Sequence, residues 1–185
     1  MLRKSRILKF VLCFSTLFLI AGQCDDDDGG IPQADDDGGA VMENKFSIGA
    51  DTYDLDEGFK GVATNFAPGG FSTFFTFTAD GLTVENADYS GRGNFVALEF
   101  YTSTSVLGDG TYPIDNSENP NTVEVTYALD FDAANPFFPP QNVFNGTVDF
   151  ERVDDENFII NVTGVDNDSG QTFRASYSGL VTTVQ

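Results

Sequence analysis

The sequence predicts an all-β fold: an antiparallel β-sandwich of about nine to ten strands with a C-terminal meander, or, as the alternative, a lipocalin-like closed β-barrel. Three observations carry that expectation. Between Lys45 and Val184 no stretch of 10 to 12 residues has clean helical periodicity. Short runs of Phe, Val, Thr, Tyr and Ile alternate with polar residues there and stop at Gly, Asn or Asp clusters. The chain holds 19 Phe and no Trp, so phenylalanine is the main filler of the core. Burying one such side chain stabilises by about 1.5–3 kcal/mol, enough that the domain needs no disulfide.

Taken in order, the predicted strands are 45–49, 52–55, 58–66, 71–79, 82–88, 94–102, 110–115, 122–131, 143–153, 157–165 and 171–183, some of them merging. Val123, Val125, Tyr127 and Leu129 share one face of the eighth. Val148 and Phe150 face away from Thr147, Asp149 and Glu151. Phe158, Ile160 and Val162 oppose Asn161 and Thr163, and Phe173, Ala175 and Tyr177 oppose Thr172, Arg174 and Ser176. One dry and one wet face is the pattern of antiparallel sheet. The last three strands form a meander, turned by Asp154-Asp155-Glu156-Asn157 and by Asp166-Asn167-Asp168-Ser169-Gly170, residues that tolerate positive φ. A sandwich and a barrel both satisfy these faces, and closure of the sheet edges decides between them.

The first 43 residues have a different character. Arg3, Lys4, Arg6 and Lys9 precede an apolar run from Phe10 to Ile20, and Ala21-Gly22-Gln23 leads to Cys24. These are the three parts of an export signal spanning residues 1–23. The apolar run is shorter than the roughly 20 residues that cross a bilayer. Asp25 to Asp28 and Asp35 to Asp37 follow, with two Gly pairs, so residues 24–43 read as a solvated tether carrying a lipid on Cys24. Residues 44–185 form the all-β domain.

The segment resembles a bacterial lipoprotein signal, cut before a cysteine that carries diacylglycerol. Ala21 and Gly22 fit that pattern, and Gln23 departs from the small residue usual there. The Asp run resembles the surface lipoproteins of Bacteroidota. The ending Gly146-Thr-Val-Asp-Phe, Phe158-Ile-Ile-Asn-Val, Asp168-Ser-Gly and Tyr177-Ser-Gly resembles the C-terminal meander of uncharacterised flavobacterial-type members of that group. The resemblance implies an all-β extracytoplasmic domain, held in the outer membrane by lipid on Cys24 and displayed on the extracellular side. It transfers no catalytic residue.

Composition removes several function classes. With the signal gone, five basic residues (Lys45, Lys60, Arg92, Arg152 and Arg174) face 29 acidic ones, a net charge of −24. Such a surface excludes nucleic acid as a partner, because that binding rests on Lys and Arg neutralising phosphates. There is no His, and the cysteines are Cys13, inside the signal, and Cys24. Imidazole bases, thiol nucleophiles and His or Cys metal sites are therefore outside the domain's vocabulary.

The candidate sites are few. Asp166 and Asp168 alternate as calcium-loop oxygens do, but Gly170 comes one position early and residue 176 is Ser where a bidentate Glu would stand. A solvated hairpin turn accounts for the same residues. No other cofactor is expected. Asp51, Asp54, Asp56 and Glu57 form an acidic cluster that reads as a polar loop. Phe137 and Phe138 lie on a Pro-stiffened loop, where exposed rings could stack on a glycan or seat a surface protein, or else fold back to plug the core. Asp149 and Glu151 point the same way from one strand, but nothing in the sequence selects a catalytic carboxylate pair. The expected function is a non-catalytic binding or envelope-associated module. A structural component of the cell surface and a glycosidase-like, carboxylate-dependent hydrolase are the alternatives.

Overall fold

The computed structural model of the chain describes residues 43–61, 63–66, 70–86, 88–136 and 140–184. It is all-β. The strands are β1 (Lys45–Ile48), β2 (Asp51–Asp54), β3 (Glu57–Gly61), β4 (Thr64–Phe66), β5 (Gly70–Thr78), β6 (Leu82–Glu85), β7 (Asp88–Thr102), β8 (Gly110–Pro113), β9 (Thr122–Asp132), β10 (Gln141–Arg152), β11 (Asn157–Asp166) and β12 (Thr172–Val184). The expected segments are all present. The segment predicted at 58–66 divides into β3 and β4, and β7 begins earlier than alternation alone suggests.

The sheet does not form a sandwich. It closes into a barrel of seven strands in the order β3, β5, β7, β9, β10, β11, β12 and back to β3. The closing strand is β12. Along 172–180 it pairs antiparallel with β11, and its last four residues pair in parallel with β3, from Val181 against Gly58 to Val184 against Gly61. A sandwich would leave those edges free, and an open row of N–H and C=O groups invites association with other chains. The single parallel seam also distinguishes this barrel from an up-and-down lipocalin-like one, in which every neighbour is antiparallel.

Short strands fill the places where the barrel wall parts. β9 and β10 pair only over Val125–Tyr127 and Gln141–Val143. Gly146 then carries β10 so close to β11 that a Cβ there would lie 1.8 Å from the Thr163 carbonyl oxygen, and the ladder shifts register at that point. The rest of β10 turns from β9 and pairs with β8 instead, Thr147 to Phe150 against Pro113 to Gly110. At the other end of the barrel, β1 takes the free edge of β12 from Phe173 to Ser176, and β2 pairs with β1.

Alternation decides what lies inside. Phe75, Phe77, Val96, Leu98, Phe100, Val123, Val125, Phe150, Phe158, Ile160, Val162 and Tyr177 form one buried cluster. Phe75 meets Phe100, Phe150 and Phe158 with ring centroids 5.9, 5.6 and 5.3 Å apart, close to edge-on. Phe46, Tyr127 and Phe173 stack beneath them, with Tyr53 of β2 lying 4.9 Å from Phe46. Between Phe77, Leu98, Ile160, Val162 and Tyr177 there is no room for a water molecule. The barrel is a packed core and not a calyx, as expected for so few strands.

A second apolar layer lies outside the barrel. β6 and the start of β7 form a hairpin, with Asn86 at φ 51° in its turn. It folds over the outer wall, so that Val84 and Tyr89 pack on Phe59, Phe74 and Val184. Leu82 packs with Phe95 and Ala128 in the neighbouring cluster. The fold-over depends on Gly91 (φ 92°), where a Cβ would meet the Gly81 carbonyl oxygen at 2.0 Å. This layer also corrects one face of the sequence reading. Ala128 alternates with the inward Tyr127 and is buried on the outer wall, and a bulge follows on β9, where Leu129 and Asp130 (φ 54°) oppose Asn94 alone and Leu129 is 41% exposed.

Candidate functional site

Among the described residues the interior is filled, and the ligand-sized concavities lie at the mouth and on the walls. The mouth opposite the β1–β2 hairpin is built by strand alternation. Inward-facing positions continue past the aromatic core to Lys60 on β3, Thr73 on β5, Arg152 on β10 and Thr183 on β12. Together with Gly61, Ala63, Phe75, Ser105 and Leu107 they enclose a cavity of about 310 Å³. Phe75 supplies the aromatic part of its lining, and the buried ring of Phe158 lies beneath the two basic side chains. The Lys60 ammonium lies 4.9 Å from the Phe158 ring centroid and the Arg152 guanidinium 6.0 Å.

The loop after β7 holds one rim. Arg152 donates to the Leu107 carbonyl at 3.2 Å, its backbone N–H donates to Asp109, and the Tyr112 hydroxyl donates to the Gly108 carbonyl at 2.7 Å. Burial and then the neighbouring Arg152 charge lower the proton affinity of Lys60, and Asp155 offsets this in part. Arg152 faces the mouth.

Of the other three basic residues two are paired, and Arg174 is exposed with no ion-pair partner among the described residues. Lys45 pairs with Asp54 at 3.2 Å, and Arg92 forms a two-pronged pair with Asp130. Among the described residues neither Lys60 nor Arg152 has an ion-pair partner.

A second concavity lies on the outer wall beneath the β6–β7 hairpin, about 270 Å³ in volume and lined by Phe74, Thr76, Val84, Tyr89, Glu99 and Glu124. Glu99 and Glu124 sit directly opposite each other on β7 and β9. Like charges in that relation are destabilising. Burial and then the Glu99 charge raise the proton affinity of Glu124, against a 3.4 Å hydrogen bond from Tyr101. The Tyr101 hydroxyl is itself pushed up, by burial and then by Glu99 and Glu124. A raised carboxyl stabilises the fold fully below its unfolded value, and that contribution is lost as pH rises through the folded value. Glu124→Gln is therefore expected to raise the melting temperature at pH 7, with the gain fading in acid below the ordinary carboxylate range. Thermal unfolding of both proteins from pH 3.5 to 8 reads this out, and a pH-independent difference would refute the cause.

The residues singled out in the sequence fall elsewhere. Asp166 is buried at 2% exposure, at the end of the barrel away from the mouth. One of its oxygens accepts from the Tyr127 hydroxyl at 2.8 Å, and the other accepts from the Ser169 N–H at 2.7 Å and the Ser169 hydroxyl at 2.5 Å. Asp168 is exposed on the turn. Among the described residues no three Asp, Glu, His or Cys side chains converge as a cation would need. Asp149 accepts from the Thr111 hydroxyl at 2.6 Å and borders a shallow groove with Glu151 on the outer wall. Cys24, Phe137 and Phe138 lie outside the described residues. Comparison with protein-family models, with curated proteins and with solved structures finds no match.

Sequence reasoning missed the mouth, although part of the signal was present. Five basic residues in a polyanion are few enough that each invites the question of what it faces. The alternation that put Val148 and Phe150 inside also puts Arg152 inside, two residues on.

Proposed function

We propose that the chain is an outer-membrane lipoprotein, anchored through Cys24 on the extracellular side, whose barrel is a non-catalytic module that takes its ligand at the mouth. The observation that carries the reading is the pairing of a filled interior with a concave mouth lined by two cations, Lys60 and Arg152, that have no ion-pair partner among the described residues. Pockets that combine apolar walls with a few convergent polar groups are the usual form of a binding site, and barrel mouths are among their usual places. The anchor rests on the sequence of residues 1–28. Acyl chains contribute about 0.8 kcal/mol per buried methylene, so two or three hold a protein firmly at a bilayer. Mass spectrometry of the mature N-terminus is expected to find an acylated Cys24 as the first residue. An unmodified terminus at another position would refute the anchor.

The facing carboxylates Glu99 and Glu124 favour a second reading, a carboxylate-dependent hydrolase acting in the outer-wall groove. The proton affinity of Glu124 is pushed in the direction an acid catalyst needs. On that reading Glu124→Gln abolishes turnover of a glycoside substrate while the mouth variants described below leave it intact.

A further inference from the structure

We infer that the ligand of the barrel mouth is an anion: a carboxylate or phosphate group carried on a body about the size of one sugar ring. This deepens the binding reading above and rests on it.

The first argument is charge placement. Five basic residues follow the signal among 29 acidic ones, so every cation has carboxylates available to it. Lys45 and Arg92 take them. Lys60, Arg152 and Arg174 do not; Arg174 is exposed, whereas Lys60 and Arg152 both approach the Phe158 ring, 4.9 and 6.0 Å from its centroid, and feel each other's charge. Two like charges side by side, one of them partly withdrawn from water, raise the energy of the empty mouth. An anion between them removes that repulsion and gains two charge-assisted hydrogen bonds, which are roughly twice as strong as neutral ones.

The second argument is the shape and lining of the cavity. Its volume of about 310 Å³ exceeds what a bare inorganic ion fills. Thr73, Ser105 and Thr183 contribute hydroxyls suited to a polyhydroxylated body, while Phe75, Leu107 and Gly61 supply apolar wall. Arg152 is tied to the Leu107 carbonyl, so its charge is held in place before a ligand arrives, and the Lys60 ammonium rests against the Phe158 ring. The nearest carboxylates are Asp109, whose side chain accepts from the Arg152 backbone, and Asp155. The rest of the surface repels anions, so recognition here is local and short-range, and neutral molecules of the same shape should be rejected.

The test uses the mature, full-length protein in neutral detergent, labelled with ¹⁵N and titrated with glucuronate, glucose 6-phosphate and glucose. Saturable shifts of the Gly61, Thr73, Leu107, Arg152 and Thr183 amides are expected with at least one charged sugar, and affinity for glucose should be at least tenfold weaker. Which charged sugar binds separates carboxylate from phosphate recognition. Lys60→Met and Arg152→Met should each weaken binding at least tenfold, with Lys60→Arg restoring most of it. Spectra of the variants that keep the wild-type dispersion away from the mouth exclude misfolding. Glucose binding as tightly as the charged sugars, unchanged by Lys60→Met, overturns the anion and leaves a binding mouth. Silence of the mouth amides to all three sugars overturns both.

Discussion

Phe75→Ala is expected to lower the unfolding free energy by about 3–5 kcal/mol, a large fraction of the stability of a domain this size. The side chain is 1% exposed at the centre of the barrel, and its ring meets rings on three other strands, Phe100 on β7, Phe150 on β10 and Phe158 on β11. Truncation removes the transfer free energy of the ring and leaves a hole that a closed barrel cannot shrink to fill, because its diameter is fixed by the number of strands and their stagger. Phe75 also borders the mouth, so the variant should bind its ligand more weakly even where it remains folded. Urea denaturation followed by circular dichroism measures the first effect. A loss below about 1 kcal/mol would mean that the barrel can contract around the site.

Asp166→Ala is expected to cost about 3 kcal/mol at neutral pH, since hydrogen bonds to a charged group contribute roughly 1.5–3 kcal/mol and the orphaned donors are then left unpaired. Tyr127 is 4% exposed and would keep a hydroxyl with no acceptor. Burial alone would raise the Asp166 carboxyl. The hydrogen bonds from Ser169 and Tyr127 outweigh it and hold the group below the ordinary carboxylate range. With the folded value depressed, the contribution is present above the unfolded value, near 3.9, and is lost as pH falls through the folded value. The stability difference between wild type and variant should therefore be largest from about pH 5 upward and shrink in strong acid. A difference that stays constant to pH 2 would assign the loss to packing alone.

These two residues also show how far the sequence could be read. Phe75 lies on the predicted strand 71–79, but Phe74 stands beside it, and only the barrel's closure shows that Phe75 faces the core and Phe74 the outer wall. Asp166 was visible as an unusual residue, but its spacing from Asp168 suggested solvent or a cation. Its true partner is Tyr127, 39 residues earlier, brought near by the short pairing of β9 with β10. The mouth was obscured in the same way. Lys60 and Arg152 are 92 residues apart in the chain, and only closure of the sheet sets both over Phe158. Alternation is a property of neighbours in sequence, so it reports which face a residue occupies and not which strand lies opposite. Leu129 marks the other limit, because the alternation of Val123, Val125 and Tyr127 runs on through it, and the bulge at Leu129 and Asp130 shows only in the register against β7.

The parallel seam between β3 and the last four residues of β12 has a consequence for how the chain is made. Its two halves lie more than 100 residues apart, and the later half is the final piece of strand in the described structure. A polypeptide emerging from its N-terminus can assemble the β5–β7–β9 wall and even the meander, but until Val181–Val184 emerge β3 has no partner on its outer side. Closing a loop of that length carries a real entropic cost, and contacts this distant in sequence form late. Until that piece of β12 is made, the barrel wall stays open along β3.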